Sequence, residues 1–259
     1  MTSMQKVAAL VAAGVLGVLG ACAPHQMRAE VGAAFTQVRG ELGLQNSGGN
    51  LNLNANMNDV KDQLGSGELD PSPYVRFEAD WGPQRVKVSG LSHTSSGSSV
   101  LAGAFGDLPA GTSVFADLDY TNVSGSWSYD LAPTDMLRLA PGVQVGYHAI
   151  DVLVRSNSST AFENVDTDII VPMPYFDAEV DLGVVSVGVN AGLMVVDLRD
   201  ADGRYWDAEA IVRAVPGQNV ELLGGLRYML FDAHGTATGR DFDSDIDVFG
   251  FFVGGGVKF

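Results

Sequence analysis

The sequence predicts an all-β protein, an antiparallel up-and-down transmembrane β-barrel of ten strands, or of eight. Three observations predict it. Runs that alternate apolar and polar residues recur along the chain, and a period of two is that of a strand with unlike faces. The links between runs alternate long and short, as in barrels that cross a membrane. Beyond residue 20 no stretch has the roughly 18 consecutive apolar residues of a spanning helix. A membrane crossing then has to be made by strands, which pair their own backbone groups where lipid offers no partner. The 32 glycines suit turns and tight packing. With 15 basic against 31 acidic residues, a net charge of -16, the chain lacks the basic footprint of a nucleic-acid binder.

The amino terminus reads as an address. Residues 1–6 carry one positive charge, and residues 7–20 are an unbroken run of Ala, Val, Leu and Gly. That length fits a signal-peptide core. Leu19-Gly20-Ala21-Cys22 follows, and it resembles the lipobox of bacterial lipoproteins. Cys22 is the only cysteine, so no internal disulfide forms. The resemblance implies lipid attachment at Cys22. Ordinary cleavage after the A-x-A triplet Ala21-Cys22-Ala23 is the alternative, with Pro24 disfavouring it. The expected organisation is a signal peptide over 1–21, a lipidated tether over 22–32 and a barrel over 33–259.

Ten strand-like runs follow. The first, 33–44, sets Ala34, Thr36, Val38 and Leu42 against Phe35, Gln37, Arg39 and Glu41. In the second, 74–81, Val75, Phe77 and Trp81 oppose Arg76, Glu78 and Asp80, and Gly82-Pro83 turns the chain. The third, 85–94, opposes Val86 and Val88 to Arg85 and Lys87. The fourth, 113–129, changes phase: Leu118 and Tyr120 are its first apolar set, Val123 and Trp127 its second. A β-bulge near Asn122 is the expected cause. In the fifth, 137–154, Pro141 predicts a bulge or a local loss of pairing. In the sixth, 170–182, Pro172 and Pro174 predict a poorly paired first half. The seventh, 185–197, alternates most cleanly. The eighth, 205–215, and the ninth, 219–231, place Asp207, Glu209, Arg213, Glu221 and Arg227 on their polar faces. The predicted long links are 45–73, 95–112, 155–169, 198–204 and 232–246.

The tenth run, 247–259, reads DVFGFFVGGGVKF. Phe249, Phe251, Val253, Val257 and Phe259 alternate with Gly250, Gly254, Gly256 and Lys258. This resembles the closing strand of bacterial outer-membrane β-barrels, which ends on an aromatic residue. The resemblance covers nearly all of the mature chain at the level of architecture. It implies an outer-membrane location in a Gram-negative cell, an anchor on the periplasmic side, and outer-membrane lipids and lipopolysaccharide as partners.

Alternation leaves open which face looks at lipid, since a lipocalin-like soluble barrel binding a small ligand has the same period. Lipid outside is favoured by charges of both signs on the polar face: Arg39, Glu41, Arg76, Glu78, Arg138, Asp177, Glu179, Asp207, Glu209, Arg213 and Arg227. In a narrow lumen these can pair. Trp81, Trp127, Tyr129 and Phe259 near one set of strand ends, with Trp206 and Tyr228 near the other, suit interfacial girdles.

No nucleophile elbow, phosphate loop or zinc spacing is present. Ten-stranded outer-membrane proteases of the omptin type use acidic residues and a rim His, and His234 with Asp232, Asp241 or Asp243 is the nearest likeness, without a shared motif. Acidic loops suggest a weak calcium site at Asp200, Asp202, Asp241, Asp243 and Asp245, because calcium takes clustered carboxylate oxygens. The expected function is structural or surface-binding, through long extracellular loops. The alternatives are a narrow, porin-like channel for small solutes and the soluble lipocalin-like lipoprotein.

Overall fold

The computed structural model describes residues 24–131, 134, 136–198, 201–217, 219–237 and 239–259. Its strands are β1 (Gln26–Leu44), β2 (Asn58–Asp59), β3 (Asp70–Trp81), β4 (Gln84–Val100), β5 (Ser113–Tyr129), β6 (Leu137–Ser156), β7 (Phe162–Asp181), β8 (Val185–Leu198), β9 (Ala201–Ala214), β10 (Val220–Ala237) and β11 (Arg240–Lys258). Each long strand pairs antiparallel with its neighbour in sequence, and β11 returns to pair with β1. The sheet therefore has eleven strands rather than ten. The extra one, β2, has two residues and pairs with Glu41 and Leu42 of β1 outside the closed ring.

The ring closes with little space between its first and last strands. A Cβ on Gly32 would lie 2.2 Å from the Val253 carbonyl oxygen, and one on Gly254, its register partner, 2.4 Å from that of Val31. Only glycine fits such an approach. At the same end Met27 and Phe259 exchange backbone hydrogen bonds of 2.7 and 2.9 Å.

Several boundaries differ from the sequence reading. The barrel begins at Gln26, so residues 26–32 are paired strand rather than tether. Cys22, the signal peptide and the start of the tether lie outside the described residues. Among the described residues three of the five expected long links, 155–169, 198–204 and 232–246, are mostly strand, and β4 runs into a fourth as far as Val100. These hairpins are polar on the outside, which resembles loop composition.

The expected bulge at Asn122 is absent. β4 and β5 pair in one register from Gln84↔Tyr129 to Val100↔Ser113. What changes is the environment. Near the short turns, Val123 and Trp127 are on the outward side of β5 and Ser124 and Ser128 on the inward side. Near the opposite, loop end, Val114, Ala116 and Leu118 face inward and Asp117 and Asp119 outward. The same inversion occurs on β1, where Arg39 and Glu41 are exposed on the outer face while Val38 and Leu42 are buried inside. They were expected in the lumen; the wall there stands clear of the apolar band, so polar residues face water.

The apolar outer band lies in the turn half. It includes Val143, Val145, Phe176, Val187, Val189, Val212, Leu222, Leu226 and Val253, all exposed. Trp127, Tyr129 and Phe259 border it at the turn end, and Trp206 and Tyr228 at its other edge, all exposed outward. On β10 the band runs from Val220 to Tyr228, about nine residues, the length of a tilted crossing strand.

Proline sets two local breaks. Pro141 stays in register with Phe176 of β7, but the β5–β6 ladder begins only at Gly142↔Ser128. β7 pairs with β6 along its whole length, including Pro172 and Pro174, whereas its ladder to β8 stops at Tyr175↔Gly192. The Leu182 N–H donates to the Val185 carbonyl, so the even-numbered residues of β7 direct their backbone groups at β8. Continuing that register would bring Pro174 opposite Leu193 and Pro172 opposite Val195. Neither proline has an N–H to give, and the two strands part at that level.

Candidate functional site

Three layers fill the barrel from the turn end to the loop end. The first is ionic. Arg213 donates to Glu30 Oε1 through Nε at 2.6 Å and to Glu78 Oε1 through Nη2 at 2.6 Å. Arg76 Nε donates to the same Glu78 oxygen at 2.7 Å, and its Nη1 reaches Glu209. Arg28 bridges Glu78, Glu179 and Glu221 at 3.2–3.4 Å. Arg85 holds Asp80 at 2.6 Å and also bonds Glu179. Lys87 Nζ lies 2.6 Å from Asp177, which Arg138 Nε approaches to 3.4 Å. Arg227 grips Asp207 with two nitrogens, at 3.0 and 2.8 Å. Apart from Arg39 and Glu41, the lumen charges expected from the sequence all lie in this layer, Arg227 and Asp207 as a pair of their own beside the main network. Arg28 and Glu30 were missed because their segment shows no clear period; their partners lie on β3, β7, β9 and β10, distant in sequence.

The second layer is a thin polar and aromatic shelf. The Tyr120 hydroxyl and His148 Nδ1 are 2.8 Å apart, Asn122 approaches the same ring, and Tyr205 packs edge-on against His148 with centroids 4.8 Å apart. The third layer is apolar and includes Leu42, Leu118, Ile150, Val152, Val165, Val171 and Ile246. One void in the ionic layer and one in the apolar layer are each about 20 Å³, about the space of one water molecule.

Two connections close the loop end. Leu64 from the segment between β1 and β3, and Leu101, Phe105 and Leu108 from that between β4 and β5, are buried in the apolar layer. Gly103 N–H donates to Asn58 Oδ1 at 3.1 Å, Ala104 N–H to Asn56 Oδ1 at 3.0 Å, and Gly106 N–H to the Leu44 carbonyl at 3.0 Å. The Ser47 N–H and hydroxyl donate to Asp107 at 2.9 and 3.0 Å. Those two bonds hold the Asp107 carboxyl below its ordinary pKa. Gly65, at φ +74°, lies against the backbone of β4, where a Cβ would be 2.9 Å from Ser98. Only glycine suits both the conformation and the space.

Where β7 and β8 part, a cleft of about 270 Å³ opens in the loop half. Ile169 and Val171 line it from β7, Met194 from β8, Tyr205 from β9, Phe231 and Ala233 from β10, and Phe242 from β11. Sequence reasoning identified the poorly paired proline segment but not this cleft, which needs five strands to be brought together.

The acidic candidates do not converge. Asp241, Asp243 and Asp245 occupy successive outward positions of β11, about 7 Å apart along the strand. Asp243 takes a 2.8 Å bond from His234 Nδ1, Asp232 is paired with Arg204 at 3.0 Å, and Asp241 and Asp245 are exposed. Among the described residues no three His, Cys, Asp or Glu side chains gather where a metal ion could be held. Asp200 lies outside the described residues, and of Asp202 the described part is its backbone pairing with Asp197. Asp232, Arg204 and His234 are among the residues lining the cleft, Asp232 paired with Arg204 and His234 bonded to Asp243.

No family model and no curated protein matches this chain. Solved structures do. The outer membrane protease OmpT from Escherichia coli matches with a TM-score of 0.61 at 8% identity, over 91% of this chain and 97% of that one. The transport unit of the autotransporter AIDA-I from Escherichia coli matches at TM-score 0.39 and 10% identity, over 89% and 88% of the two chains. Ail of Yersinia pestis matches at 0.35 and 10%, over 92% and 100%. At such identities the likeness to OmpT is one of fold, and the two lower scores carry no argument. The chain has the antiparallel barrel fold of outer-membrane proteins.

Proposed function

We propose that this protein resides in the bacterial outer membrane as a non-conducting barrel with a structural or surface-binding role. The observation that carries the reading is the filled lumen, with an ionic layer below an apolar one. Buried pairs of this kind are costly to open one partner at a time, which argues against the narrow-channel alternative. The outward apolar band argues against a soluble barrel. Surface binding falls to the rigid loop-side hairpins and the cleft, rather than to long flexible loops. Lipid attachment at Cys22 and contact of the outward carboxylates with lipopolysaccharide through divalent cations belong to the same proposal. Cold against boiled gel mobility of the outer-membrane fraction, followed by planar-bilayer recording, tests it. A heat-shifted band without conductance steps is expected. Reproducible steps would establish the channel instead, and release from the membrane on Cys22→Ser without a band shift would establish a soluble domain.

A further inference from the structure

We propose that the free edge of β7 takes up an extended segment of a partner protein as an added antiparallel strand. The segment alternates apolar residues, turned into the cleft, with lysine or arginine, turned outward. The inference deepens the surface-binding reading above and rests on it.

The first observation is the edge itself. β7 pairs with β6 in one unbroken register from Phe162 to Val180, whereas its ladder to β8 covers only Tyr175 to Asp181. Among the described residues no other strand takes the side that β8 has left. The even-numbered residues of β7 direct their backbone groups to that side. Asp166, Asp168 and Ile170 therefore hold N–H and C=O groups toward it with no strand to receive them. Such a row is a template for pairing with another chain. Proteins that keep an edge free interrupt it with proline, a bulge or an inward charge. Pro172 and Pro174 do so next to Tyr175, but residues 164–170 contain no proline and no inward charge.

The two faces beside this edge select the partner. Inward, Thr167, Ile169 and Val171 of β7 line the cleft together with Met194 and Phe231. Its volume of about 270 Å³ exceeds the roughly 150 Å³ that takes a benzene ring, so an apolar side chain of an added strand fits. Outward, the wall is acidic. Asp119, Asp151 and Asp166 stand in register on β5, β6 and β7, all exposed. Asp168, also exposed, takes a 2.9 Å bond from the Tyr147 hydroxyl. This row of carboxylates ends at the free edge. Like charges directly opposite destabilise a sheet and opposite charges stabilise it, so a cation is favoured on the next strand. Arg204, at the border of the cleft, is already matched by Asp232.

Antiparallel residues that exchange backbone bonds have their side chains on one face. The basic residues of the added strand therefore bond to β7, and the apolar ones turn their N–H groups away from it.

The test uses the full chain in phosphatidylcholine nanodiscs and a fluorescent nine-residue peptide that alternates Val with Lys and has Phe at its centre. Anisotropy against empty nanodiscs reads the affinity, and amide exchange locates the peptide. Binding is expected, with exchange at Asp166, Asp168 and Ile170 slowed by at least about tenfold. N-methylation of the lysines should abolish binding, and N-methylation of the apolar residues should leave the affinity within about threefold. Glu in place of Lys should weaken it by about tenfold or more. Ile170→Pro removes one donor from the free edge and none from the ladder to β6, and should weaken binding about fivefold. Equal affinity of the two N-methylated peptides would overturn the inference, as would undiminished affinity in Ile170→Pro or protection confined to Leu193 and Val195. A protein that inserts, gives a heat-shifted band and binds no peptide defeats this inference alone. A protein that does not insert defeats the outer-membrane reading and this inference with it.

Discussion

Leu118 and Val123 lie on one unbroken strand, five residues apart, with Leu118 facing into the barrel and Val123 out of it. Both positions are apolar, but on opposite faces of the wall. Above Tyr120 the outer wall is polar and the interior apolar; below it the outer wall carries the apolar band and the interior is ionic. Outward substitutions should therefore act by level. Val189→Arg, in the band, is expected to cost about 2–4 kcal/mol at mid-bilayer depth. Asp119→Arg, on the water-facing wall, should stay within about 0.5 kcal/mol. Reversible urea unfolding in lipid vesicles measures both, and equal costs would remove the inversion.

Arg213 sits between Glu30 and Glu78. Arg213→Ala leaves buried Glu30 with no closer cation than Arg76 at 3.8 Å, while Glu78 keeps Arg76 and Arg28, so a loss of about 3–5 kcal/mol is expected. Arg213→Lys, which keeps the charge but not the two-armed geometry, should restore part of it. Replacing Arg155, which meets Asp117 on the exposed wall, should cost less than about 1 kcal/mol.

Asp107 ties the β4–β5 connection to Ser47. Its pKa is lower in the folded protein than in the unfolded chain, so its contribution is present above the unfolded value of about 3.9 and lost as pH falls through the folded one. Proteolytic nicking between residues 101 and 112 should increase below about pH 4. Asp107→Asn should nick at the same enhanced rate at neutral pH and show no further acid dependence there.

Pro172 and Pro174 hold β7 and β8 apart. Replacing both with Thr supplies two donors toward β8, and amide exchange at Leu193 and Val195 should slow by at least about tenfold as the ladder extends. Unchanged exchange would show that the chain path of β8, rather than the missing donors, keeps the strands apart.

Much of the barrel was legible locally. The alternation in β8 and β11, the turn at Gly82-Pro83 and the weak pairing beside Pro172 and Pro174 each depend on neighbours within a few residues. Charges such as Arg76, Glu78, Asp207 and Arg213 are expected inside because they alternate with outward apolar residues. The same rule misplaced Arg39 and Glu41, whose strand continues beyond the band with its polarity reversed. Alternation reports that two faces differ; it carries no label for the solvent each one meets. It also read the water-facing hairpins as loops, since their outward residues are polar.

The sequence by itself determined an antiparallel barrel, its strand order and the prolines that interrupt one seam, because period, turn chemistry and a missing N–H are properties of short segments. Tertiary structure decided where the band ends, which carboxylate each arginine meets and that a cleft exists. Glu30 and Arg213 are brought together only when the ring closes, and the cleft depends on side chains of β7 to β11 meeting in one place, a condition that no single segment encodes.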